Sequence, residues 1–261
     1  MDTNRKAWLL QELVQLLAEE RGMDASALLG EPDLWPVFRA LVNTREPLPA
    51  SERLLDLQDE LLQGLLAERG IHAVGEGVAS PSDGRLLLWR GDITTLAIDA
   101  IVNAANSQML GCWVPGHHCI DNAIHTFAGV QLRLACADIM GAQGHEEPTG
   151  QAKVTDAYNL PSKRVIHTVG PIANGYPTPR HRVQLASCYR SCLDAVAAED
   201  LHSLAFCCIS TGIFGFPQQE AAQIAVRTVS SWLDEHDADM TVVFNVFGED
   251  DERIYRELLG L

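Results

Sequence analysis

GDITTLAIDAIVNAANSQMLGCWVPGHHCIDNAIHTFAG, from Gly91 to Gly129, packs four chemically distinct features into one segment. Asp92 stands just past the β-rich run Arg85 to Trp89. A second β-rich run, Ile98 to Asn103, leads into Asn103 and Asn106 with two alanines between them. Cys112, His117, His118 and Cys119 then fall within eight residues, and Asp121 marks the start of a helical pattern. Strand, polar loop and helix in succession form the unit of an α/β fold, whose ligands sit outside the carboxyl ends of the strands.

Downstream the same alternation continues. Lys153 to Tyr158, Arg164 to Val169, Leu204 to Ile209 and Thr241 to Phe247 read as strands, with helical stretches at about 121–138, 182–199, 218–235 and 250–259. A mixed or mostly parallel sheet flanked by helices is expected. Upstream, Gly75 to Gly84 is rich in Gly, Ser and Pro and reads as a linker. Before it, Leu9, Leu10, Leu13, Val14, Leu16 and Leu17 repeat at the helical period. A second apolar stretch spans Leu34 to Val42, and Ser51 is a good N-cap for a leucine-striped third helix ending at Gly70. The chain is therefore divided into a helical segment, 1–75, and an α/β domain, 76–261. The helical segment carries no clustered chemistry and reads as a layer over the sheet or the rim of a site.

Composition narrows the partners. Thirty-five acidic residues against 19 basic ones give a net charge of −16 over 261 residues, which opposes binding to a nucleic-acid backbone. Charge interrupts the N-terminus too early for a signal peptide, and no apolar run approaches a membrane span. Seven cysteines, an odd number and unevenly spaced, suit thiols in a reducing compartment better than a disulfide framework. A soluble cytoplasmic protein without a nucleic-acid or membrane partner is expected.

The loops carry the chemistry. A strand-end aspartate such as Asp92 can accept a hydrogen bond from an exocyclic amine like that of adenine, although such residues more often form turns. Asn103 and Asn106 combine donors and acceptors that suit sugar hydroxyls. Ser210, Thr211, Gly212, Ile213, Phe214, Gly215 and Phe216 lie between a strand and a helix start. The glycines there free backbone N–H groups to face a pyrophosphate, and Phe214 and Phe216 can pack on a sugar or base. Cys112, a histidine and Cys119 flank Pro115 and Gly116, which can fold the loop back on itself. Two thiolates and an imidazole suit Zn²⁺, and three ligands leave the fourth position of a catalytic metal open. A redox-prone cysteine pair, or a structural knot completed by His118 or a distant residue, are the alternatives. His125, His167 and the remaining cysteines are read as packing residues.

These elements in this order resemble the macrodomain family, the ADP-ribose-binding fold. GDI matches its adenine-end segment, with Asp92 and Ile93; VNAAN matches its distal-ribose asparagines; IHTVGP, Ile166 to Pro171, matches a family strand; STGIFGFP matches its phosphate loop. The resemblance covers roughly residues 85–250 and implies a three-layer α/β/α sandwich. Gly111 to Cys119 departs from the glycine run usual before the family's catalytic loop, and in this it is similar to the zinc-containing microbial branch, which also carries an N-terminal helical extension. Matching that branch assigns His117 as the third zinc ligand, with His118 as the fallback, and Asp121 as the catalytic aspartate; Asn106 is placed beside it in catalysis.

The resulting expectation is a zinc-dependent hydrolase that removes mono-ADP-ribose from acidic side chains of a modified protein. Adenosine would lie by Asp92, the diphosphate on Ser210 to Phe216, and the distal ribose by Asn103 and Asn106. Zinc would stand at a ribose hydroxyl or a water near the scissile linkage, with Asp121 assisting. The resemblance further implies, as substrate, a lipoate-bearing carrier resembling the glycine-cleavage H protein. A non-catalytic ADP-ribose reader and an esterase for O-acetyl-ADP-ribose are the competing readings.

Overall fold

The computed structural model describes residues 1–261. Four helices come first: α1 (Thr3–Glu19), α2 (Ser26–Leu29), α3 (Leu34–Asn43) and α4 (Glu52–Arg69). Ser51 caps α4 by accepting the Leu54 N–H at 3.2 Å. The leucine stripes of α1 and α4 converge with Phe38 and Leu41 of α3 on a small core. Leu9, Leu13, Leu17 and Leu61 are fully buried there.

The α/β region then runs β1 (His72–Ala73), β2 (Val78–Ala79), β3 (Leu86–Arg90), β4 (Leu96–Ala97), β5 (Ala100–Ala105), α5 (Ile120–Ala128), α6 (Val130–Gln143), β6 (Ala152–Asp156), β7 (Arg164–Val169), α7 (Pro179–Ala198), β8 (Ser203–Phe206), α8 (Gln218–Glu235), β9 (Thr241–Val246) and α9 (Glu249–Leu259). Seven strands form one sheet in the order β2-β3-β9-β8-β5-β7-β6. The five central strands are parallel, and the edge strands β2 and β6 are antiparallel to their neighbours. Helices α7, α8 and α9 cover one face and α5 and α6 the other, over a continuous apolar core. The sheet is thus mixed and the architecture three-layered, as expected from the alternating pattern.

Two stretches differ in kind from the sequence reading. The Gly75–Gly84 stretch is not a free linker, because Val78 and Ala79 pair with Leu88 and Leu87 as the edge strand β2. The helical pattern at 121–138 is two helices, split at Gly129 with φ +102°. Gln58 of α4 approaches so closely that a Cβ at Gly129 would lie 2.5 Å from its Nε2. Gln58 Oε1 in turn accepts the Val130 N–H at 2.8 Å and so caps α6 from outside. Periodicity along one chain carries no trace of a cap supplied by another helix.

Sheet order fixes where ligands can bind. From β5 the chain moves to β6 and β7 on one side, whereas from β8 it moves to β9 on the other. A crevice therefore opens between the loops after β5 and β8 at their carboxyl ends.

Candidate active site

Five loops meet at that edge. In sheet order they follow β3 (Gly91 onward), β9 (Phe247), β8 (Cys207–Pro217), β5 (Asn106–Cys119) and β7 (Gly170–Thr178).

At the β3 end, Asp92 is half-buried and committed to protein partners. Its Oδ1 accepts the Thr94 N–H at 3.0 Å and the Thr94 hydroxyl at 2.7 Å, and its Oδ2 pairs with Arg69 Nη1 at 2.8 Å. The Ile93 side chain is 1% exposed in the main core, so only its backbone can meet a ligand. Phe247, directly after β9, is 79% exposed. It adjoins Gly91, whose N–H donates to Val246 O at 3.1 Å. An exposed ring beside Asp92 is suited to covering an aromatic base, and sequence reading missed it because Phe247 looked like the end of an apolar strand.

The loop after β8 turns back on itself through Phe216 N–H to Ser210 O at 2.9 Å and Gly215 N–H to Gly212 O at 2.9 Å. Ser210 and Gly215 have φ of +66° and +65°. This leaves the amides of Gly212, Ile213 and Phe214 without an intramolecular partner just before the N-terminus of α8, an arrangement suited to phosphate. Thr211 is half-buried, Ile213 is exposed and Phe214 is half-buried. Phe216 departs from expectation: its ring is 1% exposed inside the core and cannot stack on a sugar or base. The Ala173 and Asn174 amides donate to Phe214 O at 2.8 and 3.0 Å, so the loop after β7 backs this one.

The loop after β5 gathers the titratable groups. Asn103 is fully buried and donates its Nδ2 to Asp121 Oδ1 at 2.8 Å. It stands under the site and supports Asp121; a sugar cannot reach it directly as expected. The same Nδ2 lies 3.1 Å from His167 Nδ1. Since an amide nitrogen only donates, His167 Nδ1 accepts, and its Nε2 carries the proton shared with Thr155 Oγ1 at 2.9 Å. Asn106, half-buried, donates to Gly111 O at 3.1 Å and to Asp121 Oδ2 at 3.4 Å. Asp121 is not the cap of α5. That position belongs to Cys119, whose Sγ accepts the Asn122 N–H at 3.4 Å, leaving both Asp121 oxygens to the asparagines.

Burial raises the Asp121 carboxyl to about 6, against the opposing effects of the Asn103 bond and Arg133. Burial, and then the proximity of Cys112 and Asp121, pushes the Cys119 thiol up to about 12 despite the Asn122 N–H. His125, one turn on from Asp121 and buried, has its Nε2 3.6 Å from Asp121 Oδ1.

The fold brings Cys112, His117 and Cys119 together, with their ligand atoms all within 4.8 Å of one another. Cys112 Sγ lies 3.5 Å from His117 Nδ1. A sulfur and a nitrogen bound to one tetrahedral zinc, at about 2.3 and 2.0 Å, stand roughly 3.5 Å apart, so this donor set fits the metal. His118 is exposed and outside the group. The two thiols beside a buried carboxyl also favour a divalent cation, which would offset the charge of their ionised forms.

The N-terminal helices contribute side chains that sequence reading did not assign. Arg39 and Asn43 of α3 bond to the Cys/His loop, and Arg69 of α4 bonds to Asp92. The signal for the first two was present: within LWPVFRALVN only Arg39 and Asn43 are polar, one helical turn apart.

Known proteins agree with this architecture. The sequence profile of the Macro domain family matches residues 102–225. A protein-ADP-ribose hydrolase of Treponema medium is 54% identical over 226 residues, covering 86% of this chain and 87% of the relative. The chain belongs to the macrodomain family. Within that family, a protein-ADP-ribose hydrolase of Staphylococcus aureus (strain MRSA252) is 51% identical over 227 residues, covering 86% of this chain and 84% of its own. The Trypanosoma brucei macrodomain, solved in complex with ADP-ribose, is 31% identical with a TM-score of 0.65 over 85% of this chain and 95% of that one. Membership in the macrodomain family accounts for the seven-stranded mixed sheet, and the four helices before it form its N-terminal helical region. No helix is long and apolar enough to cross a membrane.

Proposed function

We propose that this macrodomain is a zinc-dependent hydrolase that removes mono-ADP-ribose from modified proteins, acting on esters of Asp and Glu side chains. One observation carries the reading. Sheet order lines up a base-sized aromatic and carboxylate (Phe247, Asp92), a run of free amides (Gly212 to Phe214), an asparagine (Asn106) and a buried carboxylate beside a Cys/His triad. That sequence of groups follows the chemistry of adenosine, diphosphate, ribose and scissile linkage. The relatives named as protein-ADP-ribose hydrolases support hydrolysis rather than binding alone.

Cys112, His117 and Cys119 would hold the zinc, which when bound supplies a Lewis acid at the linkage. Gly212, Ile213 and Phe214 bind the diphosphate through backbone amides. Asn106 orients the distal ribose, and Asp121, its two oxygens fixed by Asn103 and Asn106, accepts a proton from the attacking water. Asp92, whose Oδ2 keeps one acceptor position beside its pair with Arg69, selects adenine, because a carboxylate accepts from its amine and repels the carbonyl of guanine.

The test is release of ADP-ribose from a protein carrying the ester on Asp or Glu, with and without a zinc chelator, with circular dichroism to follow the fold. Release that stops on chelation and returns with zinc is expected. A folded, zinc-replete protein that binds ADP-ribose without releasing it is a reader, and release indifferent to chelation removes zinc from the reaction. An ADP-ribosylated lipoate-bearing carrier is the protein substrate to compare first, and O-acetyl-ADP-ribose is the control for a small-molecule esterase.

A further inference from the structure

Helix α3 sends its two polar side chains out of the N-terminal core and into the Cys/His loop. Asn43, 1% exposed, uses Oδ1 to accept the Gly116 N–H and Asn122 Nδ2, each at 3.0 Å, and donates Nδ2 to Thr126 Oγ1 at 3.0 Å. Arg39 donates Nη2 to the carbonyl of His117 at 3.0 Å and to Asn122 Oδ1 at 2.8 Å. Asn122 closes the network. Its Nδ2 also reaches Val114 O at 3.0 Å, and its backbone N–H reaches Cys119 Sγ at 3.4 Å. Val114, Gly116, His117 and Cys119 are each tied to α3 directly or through this one asparagine.

The other flank is held similarly. Arg133 of α6 donates to Leu110 O at 2.7 Å and to Arg45 O at 2.6 Å, with its guanidinium 4.2 Å from the Trp113 ring. The loop between these anchors contains Pro115 and the positive-φ Gly116, with open space where a Cβ would stand on that glycine. Within the loop the His117 N–H bonds to Val114 O at 3.2 Å, and the ties to Asn122, α3 and α6 come from outside it.

Three ligands from one short loop bind a metal tightly only if the loop is already in their geometry, since otherwise binding must also order the chain. Bonds one step behind the ligands supply that order. We infer that the N-terminal helical region is a brace for the metal loop, with Arg39 and Asn43 as positioning residues that set His117 and Cys119 in ligand geometry before the metal arrives. The inference rests on the zinc reading above. The brace couples two parts of the chain that bury largely separate cores.

The deciding measurement is the zinc dissociation constant of the full chain, by competition with a chromogenic chelator, for wild type, Arg39→Ala, Asn43→Ala and Arg39→Lys. Both alanine variants are expected to bind one zinc about 10- to 100-fold more weakly. Their ADP-ribose dissociation constant should stay at the wild-type value, and Arg39→Lys should recover part of the loss. The zinc-free melting curve should stay near wild type for Arg39→Ala and fall for Asn43→Ala, which removes three hydrogen bonds made by a buried side chain. If Asn43→Ala does not fold, Arg39→Ala, whose side chain is only half-buried, decides alone. Zinc held as tightly as by wild type overturns the inference. So does equal loss of zinc and ADP-ribose affinity in Arg39→Ala, the mark of general distortion. A wild-type chain that takes up no zinc sinks the zinc reading itself and this inference with it.

Discussion

Arg69, in the last turn of α4, holds Asp92 of the β3 loop through a 2.8 Å ion pair, and its guanidinium lies 3.7 Å from the centre of the Phe127 ring. The same Nη1 donates to Thr94 Oγ1 at 2.9 Å, so carboxylate, hydroxyl and cation form one unit. Arg69→Ala is expected to weaken ADP-ribose binding about fivefold, the equivalent of one oriented hydrogen bond. Asp92→Ala should cost more, and the double variant no more than Asp92→Ala alone, because Arg69 acts through Asp92. Calorimetric titration measures all three; losses that add independently would separate the two residues.

Asp121→Asn keeps the shape of the side chain and removes its basicity. Turnover should fall by about 10²- to 10⁴-fold while ADP-ribose binding persists, read by single-turnover release and by titration. Activity within a few-fold of wild type would take Asp121 out of proton transfer.

Cys119→Ala removes both a thiol of the Cys/His triad and the cap of α5. Metal content and hydrolysis are expected to vanish together with most ADP-ribose affinity retained. A folded variant that loses hydrolysis and binding in equal measure assigns the metal to structure.

Gly111 has φ +79°, and a Cβ there would lie 2.8 Å from the His125 ring. Gly111→Ala should therefore destabilise the protein by about 2–3 kcal/mol. Gly116→Ala, at φ +64° with nothing within 4 Å, should cost about 1 kcal/mol from backbone strain alone. Urea unfolding compares them, and equal costs would mean that the contact with His125 contributes nothing.

Burial lowers the His167 imidazole to about 3, so the folded protein keeps it neutral while the unfolded chain protonates near 6.5. Its contribution to stability is complete above pH 6.5 and is lost as pH falls toward 3. Between pH 7.5 and 4.5 this amounts to roughly 2–3 kcal/mol. Asp121, raised to about 6, works in the opposite sense, its burden easing as it protonates. Comparing zinc-free wild type with His167→Gln by urea unfolding at both pH values isolates the histidine. The variant should lose less stability on acidification, and identical pH dependence in the two proteins would refute the assignment.

Much of the α/β region was legible because strands and amphipathic helices are written locally. Arg164 to Val169 and 218–235 fall on β7 and α8 as expected, since their apolar period reports which face is buried. The loops were legible as chemistry too. Asp92, Asn106, Asp121 and the Cys/His group announce themselves by residue type, and a strand before each says at which edge they gather.

Contacts between distant segments were not legible. Asn103 and Asn106 look alike in sequence, yet one is fully buried under Asp121 and the other half-buried above it, because side chains alternate along a strand until the strand ends. Phe214 and Phe216 look alike as well, and only packing turned the second into the core.

The sequence by itself therefore determined the alternation of the main strands and helices, the α/β class and the types of group available at the strand ends, all properties of local pattern. Tertiary structure alone decided what holds Asp92 and Asp121, and that α3 and α4 reach into the site. Those depend on hydrogen bonds between residues 15 to 83 positions apart, whose geometry exists only after both cores have packed.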